Sequence, residues 1–387
     1  MNNRAKKFLV VSFVGFLWLV TAQTFFNFLP AGPKLRGVTE APPAPRWDLA
    51  SFSSGTAFRG IEDWFNARIG LRNFWVRLDN HVNYALFKET ALREQGTRVV
   101  AGEDDWLYEH HYIRYAVTPG AMTDAELRAA IARIRSVQDK LARRGIPFEL
   151  VIGPSKVEVY PEHAPKVFFG GRRPDQVTTN FERARPLLQE YGINFYDAPA
   201  RYQAWKKTMP DNLFSRAGTH WSYYSVYYVL NELRARLNPM MRRPIPELKI
   251  KQLLPNSPRM EDNDLLSLMN LITKAPYEHP KPLPDLVPQT ELKGDQLPRI
   301  LWVHDSFGWM PINLLYNAKA VRPSESLYYF SLGVYDLPGI TPKQRDLKKL
   351  DWEHYLKDYD AVVMVFTEIA FDYVGWGFFE TLDQNLK

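Results

Sequence analysis

The 387-residue chain contains no cysteine, so it can form neither disulfides nor thiolate metal sites. This absence is compatible with any cellular compartment. The first 35 residues contain no acid, and their four basic residues, Arg4, Lys6, Lys7 and Lys34, supply most of the formal net charge of +6. The body that follows keeps a charge of only about +2, which is too small to indicate a nucleic acid or another polyanion as partner.

A long apolar run from Phe8 to Leu29 follows these basic residues. It is long enough to cross a bilayer, and the basic residues before it predict a cytoplasmic N-terminus and an exported body. We predict an uncleaved anchor in the inner membrane, with the body in the periplasm or on the extracellular side. A signal peptide cleaved near Val20-Thr21-Ala22 and a buried core helix are the alternatives.

The segment Pro30 to Pro45 is rich in proline and is typical of a semi-rigid spacer. We therefore predict three parts: residues 1–29 as basic stub and anchor helix, residues 30–57 as linker, and residues 58–387 as the folded domain. We find no internal repeat.

Within the body, helical and extended patterns alternate. Apolar spacing from Phe58 to Phe87 predicts two helices broken near Gly70, and a turn near Gly102 predicts a hairpin. Further helices are predicted to begin at Asp124, Asn180 and Tyr223, and strands at FELVIGPSK, INFYDAP, RILWVHDSF and DAVVMVF. This alternation predicts an α/β fold with a mostly parallel sheet flanked by helices. The prolines between Pro276 and Pro298 predict a loop there.

Candidate chemistry collects where predicted strands end, at the edge where open parallel sheets bind ligands. Ser306 lies on a strand-to-helix turn and could act as a nucleophile, with backbone N–H groups near Ser306 and Phe307 stabilising an oxyanion. His220, in the loop before a helix, could move a proton at neutral pH. Each residue also has a structural interpretation: Ser306 as a helix cap, and His220 as a packed histidine.

A family resemblance joins these separate signals. The segments VVAGEDDWLYEHH, LVIGPSKVEVYPE, GTHWS and ILWVHDSF, in this order, resemble the AlgX/AlgJ-type alginate O-acetyltransferase family. The resemblance extends over roughly residues 58 to 368, with HDSF and GTHW as its most specific motifs. It implies an SGNH-hydrolase-like (flavodoxin-like) fold, Ser306 as the nucleophile that carries acetyl, and His220 as the general base.

The chain departs from the family pattern at the third catalytic position. The family's acid lies two residues before the histidine, where this chain has Gly218. Three interpretations follow. A displaced acid substitutes, with Asp211, Asp262 or Asp264 as candidates; or Ser306 and His220 act as a dyad; or the protein binds glycans without catalysis.

Side chains near these motifs are candidates for substrate contact. Lys156 could orient a sugar hydroxyl or a carboxylate, while Tyr108, Trp221 and Trp309 could stack on sugar rings. Each also has a structural interpretation, Lys156 as a surface lysine and the aromatic residues as packing. We predict no metal site and no cofactor.

The resemblance implies an extracytoplasmic O-acetyltransferase that acetylates hydroxyls of an exported polysaccharide through a serine acyl-enzyme. It also implies a multi-pass membrane acyltransferase as the partner that supplies acetyl groups. A polysaccharide acetyl-esterase and a non-catalytic polysaccharide-binding assembly subunit are the alternatives.

Overall fold

The computed structural model describes residues 3–30, 32–37, 42–45, 47–90, 98–255, 259–273 and 281–387. The chain forms two compact units. Unit 1 is Met1–Val99 with Leu266–Pro276, and unit 2 is Val100–Leu265 with Tyr277–Lys387. The predicted division into residues 1–29, 30–57 and 58–387 separates anchor, linker and folded domain instead of compact units, and it stays a prediction. Part of the predicted spacer, Ala31 and residues 38–41, lies outside the described residues.

Unit 1 contains the apolar N-terminal helix and the predicted helix pair. Its first helices are α1 (Asn3–Phe26), α2 (Leu49–Ser53), α3 (Thr56–Asn66) and α4 (Arg72–Phe87). The predicted break near Gly70 is confirmed. By length and composition α1 could cross a membrane. The Gly70 N–H donates to the Thr24 hydroxyl at 2.7 Å, and a Cβ at Gly70 would lie 2.6 Å from the Val20 carbonyl oxygen. Glycine is therefore required where the α3–α4 connection meets α1.

The remaining helices include those predicted to begin at Asp124, Asn180 and Tyr223, which are confirmed. They are α5 (His110–Ala116), α6 (Asp124–Ala142), α7 (Lys156–Val159), α8 (Asn180–Glu190), α9 (Ala198–Trp205), α10 (Tyr223–Leu237), α11 (Asp264–Met269), α12 (Trp309–Asn317), α13 (Trp352–Leu356) and α14 (Phe378–Asn385). The start of α6 has a capping box, in which the Glu126 N–H donates to the Thr123 hydroxyl and the Thr123 N–H donates to the Glu126 carboxylate.

The strands form one large sheet and two small ones. They are β1 (Val99–Ala101), β2 (Leu107–Glu109), β3 (Phe148–Gly153), β4 (Phe195–Asp197), β5 (Leu248–Leu254), β6 (Leu283–Pro288), β7 (Ile300–His304), β8 (Ser324–Tyr328), β9 (Gly333–Leu337), β10 (Thr341–Lys343) and β11 (Ala361–Thr367). The large sheet has the order β10-β9-β8-β7-β11-β3-β4. Its strands β8, β7, β11, β3 and β4 are parallel, and β9 and β10 are added antiparallel at one edge. The mostly parallel α/β fold is confirmed, and β1 pairs with β2 as predicted.

Both faces of the large sheet are buried, which is why its central strands read as continuous apolar runs. Alternate residues point to opposite sides because the side-chain period of a strand is two. Val151, Trp302 and Val363 face one apolar core, whereas Ile152, Leu301 and Met364 face the other. Helices α10 and α12 contribute to the first core, and α6, α8 and α14 contribute to the second. The carboxyl ends of five parallel strands therefore meet at one edge of this layer.

The prediction of a loop between Pro276 and Pro298 is wrong for its central part. Residues 276–280 lie outside the described residues, but Leu283–Pro288 form β6, which pairs antiparallel with β5. Leu283 and Leu286 of this strand are buried. Proline is tolerated here because the sheet has only two strands, so each strand keeps an edge where no N–H is needed.

Candidate active site

Ser306 follows the end of β7, at the edge where parallel strands present ligand-binding groups. Every residue of β7 is buried, and the Asp305 N–H still donates to the Val365 carbonyl at 3.0 Å. The chain then leaves the sheet through a short 3-10 turn, Ser306–Gly308, which leads into α12. Ser306 is half-buried, so its hydroxyl lies at the surface of the layer.

His220 lies in the loop before α10 and contacts this serine. Its Nε2 atom is 2.8 Å from the Ser306 Oγ atom, although the two residues are 86 positions apart. The next residues of both motifs also interlock, because the Trp221 indole N–H donates to the Phe307 carbonyl at 3.0 Å. The GTHW and HDSF motifs therefore form one hydrogen-bonded pair of loops.

Asp264 is the carboxylate that contacts the other ring nitrogen of His220. The Oδ2 atom of Asp264 lies 2.6 Å from Nδ1 of His220. The Oδ1 atom accepts the backbone N–H groups of Thr219 at 2.8 Å and Leu265 at 2.7 Å, which fixes the orientation of the carboxylate. Ser306, His220 and Asp264 therefore form a continuous hydrogen-bonded chain, the arrangement of serine hydrolase triads.

Gly218 explains why the acid comes from a distant position. A Cβ atom at Gly218 would lie 2.1 Å from the Glu261 carbonyl oxygen and 3.0 Å from the Asp262 carbonyl oxygen. The backbone of residues 261–262 therefore occupies the space of any side chain at position 218. The same segment continues into Asp264, so the missing side chain at 218 allows the close approach that supplies the carboxylate.

The other two acid candidates do not contact His220. Asp211 is exposed on the turn Pro210–Asn212. Asp262 is buried, and its carboxylate accepts the Arg259 N–H at 3.1 Å. Burial raises the pKa of Asp262 to about 6. The prediction of Asp211 as the acid is therefore wrong, because Asp264 occupies the ring nitrogen that Asp211 would need.

The charge of Asp264 sets the electrostatics of the histidine. Burial by itself lowers the pKa of His220, because water no longer stabilises the charged ring. The charge and hydrogen bond of Asp264 oppose this effect, and so do the charges of Glu261 and Asp305. The result is a His220 pKa above its ordinary value. An imidazolium formed by proton transfer from Ser306 is thus stabilised at this site.

The predicted oxyanion donor at Phe307 is wrong. The Phe307 N–H donates to the Asp305 carboxylate at 2.8 Å, so it is not free for a substrate. The other carboxylate oxygen of Asp305 accepts the Thr367 N–H, also at 2.8 Å. Burial raises the pKa of Asp305 to about 6, against the lowering effect of these hydrogen bonds. Asp305 therefore ties β7 to the end of β11 and shapes the turn that carries Ser306.

Tyr329 lies beside Ser306, and sequence reasoning missed it. Burial and the charge of Asp305 raise the pKa of Tyr329, whereas hydrogen bonding from the Ser306 side chain and backbone lowers it; the net result is a raised pKa. The phenol therefore keeps its proton at neutral pH and remains a donor. Tyr329 and Phe330 have φ values of 44° and 57°, an uncommon conformation for such residues that often marks functional sites. The Tyr329 N–H holds this turn by donating to the His304 carbonyl at 2.8 Å.

Three of the four predicted substrate contacts are wrong because the side chains are buried. Lys156 is 3% exposed, and its ammonium group donates to the carbonyls of Leu107 and Arg216, which secures the loop before His220. Trp221 and Tyr108 are each 1% exposed. The Trp221 indole donates to Phe307, and the Tyr108 hydroxyl donates to the Tyr160 carbonyl. These residues build the scaffold of the loops.

Trp309 is half-buried, and its contact with a sugar stays a prediction. Its ring packs edge-on against His304, with centroids 4.5 Å apart, and also contacts Tyr328. Within the described part of the chain, no group of three His, Cys, Asp or Glu side chains could hold a metal ion.

A second titrating cluster lies at the ends of β3 and β11, outside the triad. Glu158 and Glu368 interact with each other and line a cavity of about 660 Å³, whose lining residues include no member of the triad. The Ser155 N–H donates to one Glu368 oxygen at 2.9 Å. Burial raises the pKa of Glu368 to about 7, and burial together with the charge of Glu368 raises the pKa of Glu158 well above its ordinary value. The pair therefore holds a proton that a free glutamate would lose.

The geometry is that of a hydrogen-bonded Ser–His–Asp triad, and comparison with known proteins gives the family. The model of the family "SGNH hydrolase-like domain, acetyltransferase AlgX" matches residues 99–298. The chain belongs to this family, and the family resemblance predicted from the sequence motifs is confirmed. The matched region contains His220 and Asp264 and ends before Ser306.

Among the curated relatives are proteins named probable alginate O-acetylase AlgJ. The chain is 28% identical over 221 residues to the probable alginate O-acetylase AlgJ of Azotobacter vinelandii, a match that covers 55% of this chain and 49% of that protein. It is 30% identical over 190 residues to the Pseudomonas fluorescens AlgJ, covering 45% of this chain and 40% of that protein. The chain thus spans about half the length of the curated relatives that it matches.

Two solved structures are also similar to this chain. The O-acetyltransferase domain of Pseudomonas putida AlgJ has 18% identity and a TM-score of 0.45, with coverage of 75% of this chain and 99% of that chain. Pseudomonas aeruginosa AlgX has 14% identity and a TM-score of 0.45, with coverage of 75% and 67%.

Proposed function

We propose that this protein is an extracytoplasmic O-acetyltransferase that acetylates hydroxyl groups of an exported polysaccharide through an acetyl-serine intermediate. The observation that carries the proposal is the chain of contacts from the Ser306 Oγ through His220 to the Asp264 carboxylate, at 2.8 Å and 2.6 Å. Membership of the AlgX-type acetyltransferase family and the names of the AlgJ relatives support the reaction class.

In the first half-reaction the Ser306 Oγ attacks the acetyl carbonyl carbon while His220 Nε2 takes the hydroxyl proton. The C–O bond to the donor then breaks, and the imidazolium returns its proton to the leaving oxygen. Asp264 holds the Nδ1 proton of His220 and stabilises its positive charge throughout. In the second half-reaction His220 takes the proton of a sugar hydroxyl, whose oxygen attacks the acetyl carbon; the bond to Ser306 Oγ then breaks, and the imidazolium returns the proton to Ser306 Oγ.

Both half-reactions pass through a tetrahedral oxyanion that needs hydrogen-bond donors. We assign this role to the Tyr329 hydroxyl, which is hydrogen-bonded to Ser306. Two facts support the assignment: Tyr329 interacts with the side chain and backbone of Ser306, and its raised pKa keeps the phenol protonated. The Phe307 N–H instead stabilises the turn by donating to the Asp305 carboxylate.

A polysaccharide acetyl-esterase uses the same acyl-enzyme, with water as the acceptor in place of a sugar hydroxyl. The glycine at position 218 motivates a second alternative, a non-catalytic binding subunit. The contact of Asp264 with His220 weighs against that alternative, because a carboxylate orients the imidazole.

The proposed location is the inner membrane, with the catalytic domain on its periplasmic or extracellular side. Helix α1 supports a single-pass anchor. Cleavage after Ala22 would leave Thr24 attached to the body, and Thr24 accepts the Gly70 N–H. Soluble acetyl-CoA is a cytoplasmic donor, and we therefore propose a multi-pass membrane acyltransferase as the partner that supplies acetyl groups across the membrane.

The test uses the purified full chain in detergent with an aryl acetate as acetyl donor. We expect release of the phenol, loss of release with Ser306→Ala by at least about 10⁴-fold, and a similar loss with His220→Ala. The exposed Ser331, two residues beyond Tyr329, provides the matched control Ser331→Ala, which should retain the rate. Wild-type rates in both site variants would refute the proposed site. Mass spectrometry of an added oligosaccharide then distinguishes acetyl transfer from hydrolysis.

A further inference from the structure

Helix α3 has one apolar face that is left open to its surroundings. At 100° per residue, Phe58, Ile61 and Phe65 lie on one side of this helix, and Arg59 and Asp63 lie on the opposite side. Phe58 is 60% exposed and Phe65 is 42% exposed. A helix with a polar face and an apolar face that leaves two phenylalanines largely exposed is typical of an element at a membrane interface.

The neighbouring elements of unit 1 extend this apolar surface. Large apolar side chains are also exposed on α2, on α4 and just before α2: Trp47, Leu49, Phe52, Phe74, Leu86 and Phe87. So many large apolar side chains exposed within one compact unit indicate an interaction site. Of these elements, α4 packs against α1, and α1 indicates what covers the apolar surface.

Contacts between α1 and the α3–α4 connection set the depth of this surface. Phe16 packs edge-on against Trp75 of α4, with ring centroids 5.3 Å apart, and Thr24 accepts the Gly70 N–H. With a rise of about 1.5 Å per residue, Phe16 and Thr24 lie about 14 Å and about 26 Å beyond Lys7 along the α1 axis. The hydrocarbon core of a bilayer is about 30 Å thick. If Lys7 lies at the cytoplasmic interface, the Phe16 contact lies near the bilayer midplane and the Thr24 contact lies near the outer face of the hydrocarbon core.

We infer that α3 and the adjoining end of α4 are embedded in the outer leaflet beside the anchor, with a phospholipid bilayer as the ligand of their apolar face. Phe58 and Phe65 enter the acyl-chain boundary, while Arg59 and Asp63 face the headgroups and water. The inference rests on the proposed membrane anchor. It adds that unit 1 contacts the membrane through two elements, the anchor helix α1 and the in-plane helix α3.

The absence of cysteine allows a direct test, because a single introduced cysteine can be labelled without background. Full-length Phe65→Cys, Asp63→Cys and Trp18→Cys carry an environment-sensitive fluorophore in phosphatidylcholine liposomes that contain no other protein. Phe65 is partly exposed, so labelling should not disturb folding. Lipid-attached spin labels quench a fluorophore in the bilayer, and aqueous iodide quenches one in water.

We expect the label at position 65 to be quenched severalfold more by the lipid spin labels than the label at 63, and the label at 63 to be quenched severalfold more by iodide. Position 18, on the exposed side of α1, should behave like position 65. A water-exposed label at 65 with a lipid-exposed label at 18 would overturn the inference and leave the anchor intact. Water-exposed labels at both positions would overturn the anchor as well. Protection of position 65 from both quenchers would overturn the inference in favour of a protein contact.

Discussion

His220 and His304 both contact the Ser306 turn, and they have opposite electrostatics. His220 contacts Asp264 through Nδ1 and Ser306 through Nε2, and its pKa is raised. His304 donates from Nδ1 to the Asp305 carbonyl at 2.6 Å, and its Nε2 has no hydrogen-bond partner among the described residues. Burial lowers the pKa of His304 to about 4.

The comparison shows that burial alone does not make a base. Burial disfavours the charged ring in both histidines, and at His220 the carboxylate of Asp264 makes the largest opposing contribution, followed by the charges of Glu261 and Asp305. His304 is instead a neutral packing element. A Cβ at Gly308 would lie 2.4 Å from the Cβ of His304, so this ring supports the turn of Ser306 closely from beneath.

Removing the carboxylate should make His220 resemble His304. The Asp264→Asn amide would donate to Nδ1 and favour the tautomer with hydrogen on Nε2, which cannot accept the Ser306 proton. We expect kcat for aryl acetate turnover to fall on the order of 10⁴-fold. The acid limb of the pH profile, which reports deprotonation of His220, should also move to lower pH because the attraction that raises the pKa is gone. An unchanged limb would show that Asp264 does not control this histidine.

Removing the phenol beside the nucleophile tests the other side of the site. Tyr329→Phe keeps the ring and the backbone turn held by the His304 carbonyl, and it removes only the donor. We expect kcat to fall on the order of 10² to 10³-fold, with KM changed little, because the bond is strongest to the oxyanion. Tyr335→Phe, a nearby phenol that contacts Trp309, is the control and should retain the rate. An equal fall in both variants would argue against an oxyanion role for Tyr329.

The approach of the acid can be disturbed without touching the triad. In Gly218→Ala the new methyl group would meet the Glu261 carbonyl, and the segment that carries Asp264 must shift. We expect about a 10 to 100-fold loss of kcat, since a displacement of about 1 Å is costly at such sites. Because the segment fills this space, combining Gly218→Asp with Asp264→Asn should not restore activity. Recovery in the double variant would mean that the family's usual acid position is still accessible.

The smallest expected effect separates stability from catalysis. A free glutamate ionises near pH 4.3, whereas Glu368 holds its proton to about pH 7. Between these values the folded state binds more protons than the unfolded state, so the free energy of unfolding falls as pH rises through this window. Glu368→Gln should flatten this dependence in urea unfolding experiments and leave the acid limb of activity unchanged. A moved acid limb would show that the glutamate pair is coupled to His220.

The sequence predicted the parts of the molecule that depend on local patterns. The helices from Asp124, Asn180 and Tyr223 and the strands through Leu150, Leu301 and Val363 have clear apolar periods and caps. It also brought GTHW and HDSF together as neighbouring motifs. Strands β8–β10 were not predicted, because β8 is buried yet mostly polar and β9 and β10 are partly exposed, so none has a clear period-two apolar pattern.

Other features depend on contacts between distant segments and could not be read locally. The backbone at residues 261–262 fills the space beside Gly218, which no spacing rule reveals. Lys156 resembles a surface lysine in sequence, yet its ammonium group is buried and donates to the carbonyls of Leu107 and Arg216, which lie far away in the chain. Tyr329 comes after a strand that itself was not predicted. In each case the decisive partner is far away in the chain.

The most direct test of the central claim is to trap the acyl-enzyme. The full chain is mixed briefly with an aryl acetate, quenched in acid, digested, and sequenced by mass spectrometry. We expect the peptide that contains Ser306 to gain the mass of one acetyl group, and we expect no such gain in Ser306→Ala. Acetylation of a different residue, or turnover with Ser306 unmodified at every time point, would contradict the proposed nucleophile.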